Sequence, residues 1–265
     1  MEERRRVTGR LWVLAASLAL ALILIAPAGA EVAREHGLIV SFGGKVTPHV
    51  LPRVGTEPVS VTVGGRIRSA DRQLVPSLRR ISLEINRNGI LDSRGLAICR
   101  AVQIEPSSTA QALAACGPAQ VGSGRVSGQI VIKGQPPFPF KGVVVAFNAR
   151  GAGGQRQILA HLYSPAPIAL TFVLTFSVER IAGTYGTRLV AVVPKRTRRI
   201  AHVTGFSLHL RRNYEVGGQP RSYLSAGCPA PAGFPGATFP LVRAAYSFDG
   251  GTNLSSVLVR TCHAR

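Results

Sequence analysis

The sequence predicts an all-β chain, mainly an antiparallel β-sandwich of jelly-roll type, with one short helix near Ala110–Ala115. This body follows an N-terminal hydrophobic signal helix. Three observations predict it. Apolar residues recur at every second position in segment after segment, Gly- and Pro-rich turns separate those segments, and an apolar run follows arginines at the start. The expected division is residues 1–30 as signal peptide or membrane anchor, 31–55 as a loosely structured lead-in, and 56–265 as a single β-sandwich domain.

Arg4, Arg5, Arg6 and Arg10 precede the uncharged, apolar run Leu11 to Ala26, and Pro27 and Ala28-Gly29-Ala30 follow it. This is the order of a charged region, an apolar core and a small-residue cleavage site. The run approaches the roughly 17 to 25 residues of a membrane span, so a retained anchor is the rival reading. Pro27 and Gly29 interrupt a helix where a peptidase needs extended chain, and Ala28 and Ala30 occupy the small-residue positions, which favours cleavage. Either outcome places the remaining 235 residues outside the cytoplasm.

The clearest strand is Leu170, Phe172, Leu174, Phe176 and Val178, alternating with Thr171, Thr175, Ser177 and Glu179. Such alternation puts one face on a core and the other toward water. Val59 to Val63, Ile81 to Ile85, Val126 to Ile132, Val143 to Phe147, and Phe206 to Leu210 follow the same rule. Gly64-Gly65, Asn88-Gly89, Gly153-Gly154, Gly217-Gly218 and Asp249-Gly250-Gly251 read as turns. Ser107, Ser108 or Thr109 can cap a helix over Ala110 to Ala115 that stops at Gly117-Pro118.

Cys99, Cys116, Cys228 and Cys262 allow three disulfide pairings, and the sequence does not choose among them. Sequential pairing is preferred because each bridge then closes a local segment. Export favours disulfides, and the absence of a close cysteine pair argues against zinc.

The leader holds four of the 32 basic residues and two of the 12 acidic ones, leaving 28 and 10, a balance of +18. Arginine dominance is what a GC-rich genome produces. The scarcity of acids is not, since Asp and Glu also have GC-rich codons. The densest cluster is Lys195, Arg196, Arg198 and Arg199, expected as an exposed hairpin tip with Arg211 and Arg212 near the same end. A positive field outside a cell raises the local concentration of anionic wall polymer or an anionic membrane surface. Export argues against nucleic acid.

Several motifs then carry a resemblance: Gly95-Leu96 with Cys99, Ala112-Leu113 with Cys116-Gly117, and Val121-Gly122-Ser123-Gly124. They continue with Phe147-Asn148, Ser222 to Ala226, Cys228-Pro229, Phe248-Asp249-Gly250 and Cys262. From about Leu51 onward the chain is similar to a family of uncharacterised exported, disulfide-containing β-rich proteins of actinobacteria. The resemblance implies the fold class and export, and it implies no activity.

No Gly-x-Ser-x-Gly elbow, His-Glu-x-x-His motif or calcium loop is present. Glycosidase chemistry needs two carboxylates across one cleft, and the acids are scattered singly along the sequence. Glu84 lies on the polar face of its strand and is expected to be exposed. The expectation is a non-catalytic envelope-associated or secreted module for anionic surfaces, with no cofactor and no metal. The alternative is a carbohydrate-active enzyme on a jelly-roll scaffold.

Overall fold

The computed structural model describes residues 30–265. The expected signal segment lies outside the described residues, apart from Ala30. The first strands are β1 (Glu31–Glu35), β2 (Leu38–Thr47), β3 (Val50–Leu51), β4 (Glu57–Pro58), β5 (Ser60–Ser69), β6 (Leu78–Asn86) and β7 (Gly89–Leu91). The helices Ala101–Ile104 and Thr109–Cys116 then lead to β8 (Gln120–Ile130), β9 (Phe138–Arg150), β10 (Arg156–Ser164), β11 (Leu170–Arg180) and β12 (Tyr185–Val192). One helical turn, Lys195–Arg198, precedes β13 (Ala201–Leu210), β14 (Asn213–Val216), β15 (Gln219–Ser222), β16 (Leu224–Ala226), β17 (Gly236–Phe248) and β18 (Asn253–Ala264).

The fold is all-β and mainly antiparallel. Its two layers are opposite parts of one thirteen-stranded sheet, ordered β1-β2-β5-β13-β8-β9-β10-β11-β12-β6-β17-β18-β3. The sheet rolls on itself. Leu38, Val40 and Phe42 of β2 share a buried cluster with Ala244 and Tyr246 of β17, with Leu258 of β18 and with Leu174 and Phe176 of β11. Alternation drives this roll, because the inward residues of distant strands leave water together. Strand glycines allow the curvature. The Phe206 ring covers Gly65, and the Phe140 ring covers Gly128. At the seam, Arg260 of β18 donates its Nε–H to the Gly44 carbonyl of β2 at 2.9 Å.

Residues 31–265 form one compact unit. This corrects the expectation of a loose lead-in at 31–55. Leu38, Val40 and Phe42 are buried, and β2 pairs with β5 over its whole length. Gly43-Gly44 breaks the hydrophobic run without breaking the strand. Gly64-Gly65, expected as a turn, lies inside β5 for the same reason.

The roll has two rims. Its upper rim carries the connections 70–77, 131–137, 165–169 and 193–200. Its lower rim is covered by the small sheet β4-β16-β7 and the hairpin β14–β15, with Leu91, Leu96, Tyr223 and Leu224 closing the core. The bridge Cys99–Cys116 ties the two helices together beside the end of β9. The bridge Cys228–Cys262 ties β18 to the segment after β16. The helix Thr109–Cys116 is capped by Ser108, whose side chain accepts from the Gln111 N–H while the Gln111 side chain accepts from the Ser108 N–H. It packs on the outer face of β9 and β10 over Val145, Phe147 and Leu159.

Candidate functional site

The basic cluster does not form a free hairpin tip. Pro194 starts a single helical turn, and the Arg198 carbonyl accepts from Ser77 Oγ at 2.5 Å. The Arg198 guanidinium pairs with Asp249 in the β17–β18 turn. That divides the cluster: Arg198 is a structural contact, and Lys195, Arg196 and Arg199 remain exposed. The expectation that Arg211 and Arg212 share their end is corrected. They follow β13, whereas Arg199 precedes it, so ten residues of strand place the two groups about 30 Å apart. Arg212 instead donates to the Pro118 carbonyl at 3.2 Å, on the lower rim.

The lower rim holds a cleft of about 640 Å³ between the small sheet and the β14–β15 hairpin. Asp92 is its best-anchored group. Its carboxylate accepts from the Arg94 backbone N–H and Nε, both at 3.0 Å, and from Arg221 at 3.2 Å. The hydrogen bond from the Arg94 side chain, opposed by burial, holds the Asp92 carboxyl below the usual carboxylate range. Tyr214 donates its hydroxyl to the Asp92 carbonyl at 3.1 Å, and burial raises its pKa. Glu215, Ser222 and Ser225 also line the cleft. These side chains come from segments more than a hundred residues apart, so no local spacing announced them.

Glu84 is on the outward face, as its strand parity requires, but it is only 6% exposed. This corrects the expectation of an exposed residue. Its direct cross-strand neighbours are Arg188 of β12 and Arg243 of β17. Arg188 donates to Oε1 at 2.9 Å and Arg243 Nε to Oε2 at 2.7 Å. Burial alone would raise its pKa, but the two guanidinium groups outweigh it and hold the carboxyl below its ordinary value. Arg243 also lies over the Tyr185 ring, 5.1 Å from its centre. The row Glu179–Arg188–Glu84–Arg243 thus crosses four strands with alternating sign.

His161 is fully buried beneath the two helices, with Nε2 3.1 Å from the Ser107 carbonyl. Burial lowers its pKa, so it is neutral at pH 7. Among the described residues no three or more His, Cys, Asp or Glu side chains converge as metal ligands. Among the same residues no helix is long and apolar enough to cross a membrane. The chain matches no family model, no curated protein and no solved structure.

Proposed function

We propose that the protein is an exported, non-catalytic module that associates with anionic surfaces of the cell envelope. One observation supports this most directly: beyond the leader 28 basic residues face 10 acidic ones. Several of those acids are already engaged by arginines, as Glu57, Glu84, Asp92, Glu179 and Asp249 are. Pairing within the fold leaves the balance of +18 unchanged, and Lys195, Arg196 and Arg199 carry exposed positive charge on the upper rim. The two disulfides are compatible with an oxidising compartment.

Retention on purified cell envelopes across a salt series tests this. Retention should fall as salt rises, because screening weakens contacts between exposed charges. Unchanged retention from low to high salt removes the electrostatic account.

A second reading, a carbohydrate-active enzyme, draws on Asp92 and Glu215 lining one cleft. Asp92 is held ionised by two arginines and so cannot supply the acid proton, leaving that role to Glu215. Release of reducing ends from isolated envelope glycans, abolished in Glu215→Gln, would favour this reading over the first.

A further inference from the structure

The upper rim combines two chemistries. The connections 131–137, 165–169 and 193–200 lie side by side, because β13, β8, β9, β10 and β11 are consecutive in the sheet. Hydrogen bonds brace them: the Val131 N–H donates to the Ile200 carbonyl at 2.9 Å, and at the adjoining strand ends Ser164 Oγ is 2.9 Å from the Lys141 carbonyl and 2.9 Å from the Ala166 carbonyl, donating to them.

The middle of this rim is apolar. Phe138, Pro139, Pro167 and Ile168 line a depression of about 420 Å³, and Ile168 is 43% exposed. Prolines carry no N–H, so tips rich in them bring few backbone donors to be stripped of water. Cations flank the apolar centre. Lys133, Lys141, Lys195, Arg196 and Arg199 are all exposed, and residues 131–141, 165–169 and 193–200 contain no Asp or Glu. These three loops carry cations and no acid; acids elsewhere on the rim include Asp249, which is paired with Arg198, and Asp71 in the neighbouring connection 70–77. An apolar tip with such a cationic collar matches an anionic bilayer, which offers head-group charge at its surface and hydrocarbon just beneath. A soluble wall polyanion would use the cations and leave the apolar centre without a partner. The outer wall of the roll does not fit lipid, since it carries the Glu179–Arg188–Glu84–Arg243 row.

We propose that this rim docks the protein on an anionic lipid bilayer, with Ile168 and the neighbouring prolines entering the interface and Lys133, Lys195, Arg196 and Arg199 meeting head groups. The proposal rests on the anionic-surface reading above and names its partner.

Residues 31–265 hold every described strand and both disulfides in one compact unit, so they serve as the test protein. They contain no tryptophan, because the single one is Trp12. Ile168→Trp therefore places one reporter on the rim. The probes are vesicles of phosphatidylcholine alone, vesicles of phosphatidylcholine with phosphatidylglycerol, and soluble polyphosphate, with unchanged thermal unfolding required of each variant.

The protein should bind the anionic vesicles and not the neutral ones, and I168W emission should shift to the blue on binding. Each basic residue near a charged surface is worth roughly fivefold in affinity, so combining Lys195→Gln, Arg196→Gln and Arg199→Gln should weaken vesicle binding about a hundredfold. Ile168→Ser should weaken vesicle binding severalfold and leave polyphosphate binding unchanged. Salt-sensitive binding to polyphosphate or isolated wall polymer without vesicle binding overturns the bilayer proposal and leaves the electrostatic reading standing. Binding to none of these probes overturns both. Vesicle binding with unshifted I168W emission overturns the entry of the apolar tip.

Discussion

Arg260 of β18 and Gly44 of β2 meet across the seam of the rolled sheet, the arginine Nε–H donating to the glycine carbonyl at 2.9 Å. No ladder pairs these two strands in the sheet order. Closure at this point therefore depends on a side chain. Arg260→Met keeps the aliphatic stem and removes the donor. The half-buried site should lose about 1–2 kcal/mol, or roughly 2–8 °C in thermal midpoint for a domain of this size. Differential scanning calorimetry measures it.

Glu84 and His161 set two acid-sensitive windows. A carboxyl with a depressed folded-state pKa adds stability above its unfolded value and loses it as pH falls through the folded one. For Glu84 the loss begins below about pH 4.3. His161, also depressed, is neutral in the fold, so stability falls as pH drops below about 6.5, where the unfolded chain takes up the proton first. Urea titrations at a series of pH values should show both slopes in the wild type. His161→Gln should flatten the upper slope and Glu84→Gln the lower one.

At pH 7, Glu84→Gln should cost about 1–2 kcal/mol. Removing the partner of a fully buried pair costs roughly 3–5 kcal/mol, but Arg188 and Arg243 are 38% and 50% exposed and recover water. The difference from wild type should shrink as pH falls below about 4.3 and on through the lower folded-state value. A difference that persists there would assign the loss to packing.

Gly124 of β8 stands opposite Leu208 in the antiparallel ladder with β13. An added Cβ would run into the Ser207 carbonyl oxygen and sit 2.8 Å from Leu208 Cα. All the nearest atoms are backbone of β13, which leaves nothing soft to yield. Gly124→Ala should therefore destabilise by about 2–4 kcal/mol, the range of overpacked core sites, as read by chemical denaturation.

Ser108→Ala removes the side-chain acceptor at the start of the helix Thr109–Cys116 and should cost about 1 kcal/mol. Hydrogen exchange should quicken at the first turn of that helix and stay unchanged in β11. Equal change in both would mean the cap supports the whole fold.

Strand parity was legible where apolar residues recurred at every second position, as from Leu170 to Val178, because inward residues had to share a core; Val173, on the other face, packs beneath the helices. The helix cap at Ser108 was legible because it is a local chemical requirement. Strand glycines were misread. Gly64-Gly65 has turn composition, yet here it relieves crowding inside a tightly curled sheet, as Gly43-Gly44 does in β2. The burial of Glu84 was hidden because Arg188 and Arg243 reach it from strands 104 and 159 positions away. The cleft at Asp92 was hidden for the same reason, and the ends of β13 were not assignable before its neighbours were known.

Both cystine bridges lie at the lower rim, beside the cleft. A reductant consequently has an address on this molecule. Dithiothreitol should loosen the hairpin end while the opposite loops stay hung on strands that contain no sulfur crosslink. Graded reduction thus offers a way to dissect the two poles chemically, without altering a single codon.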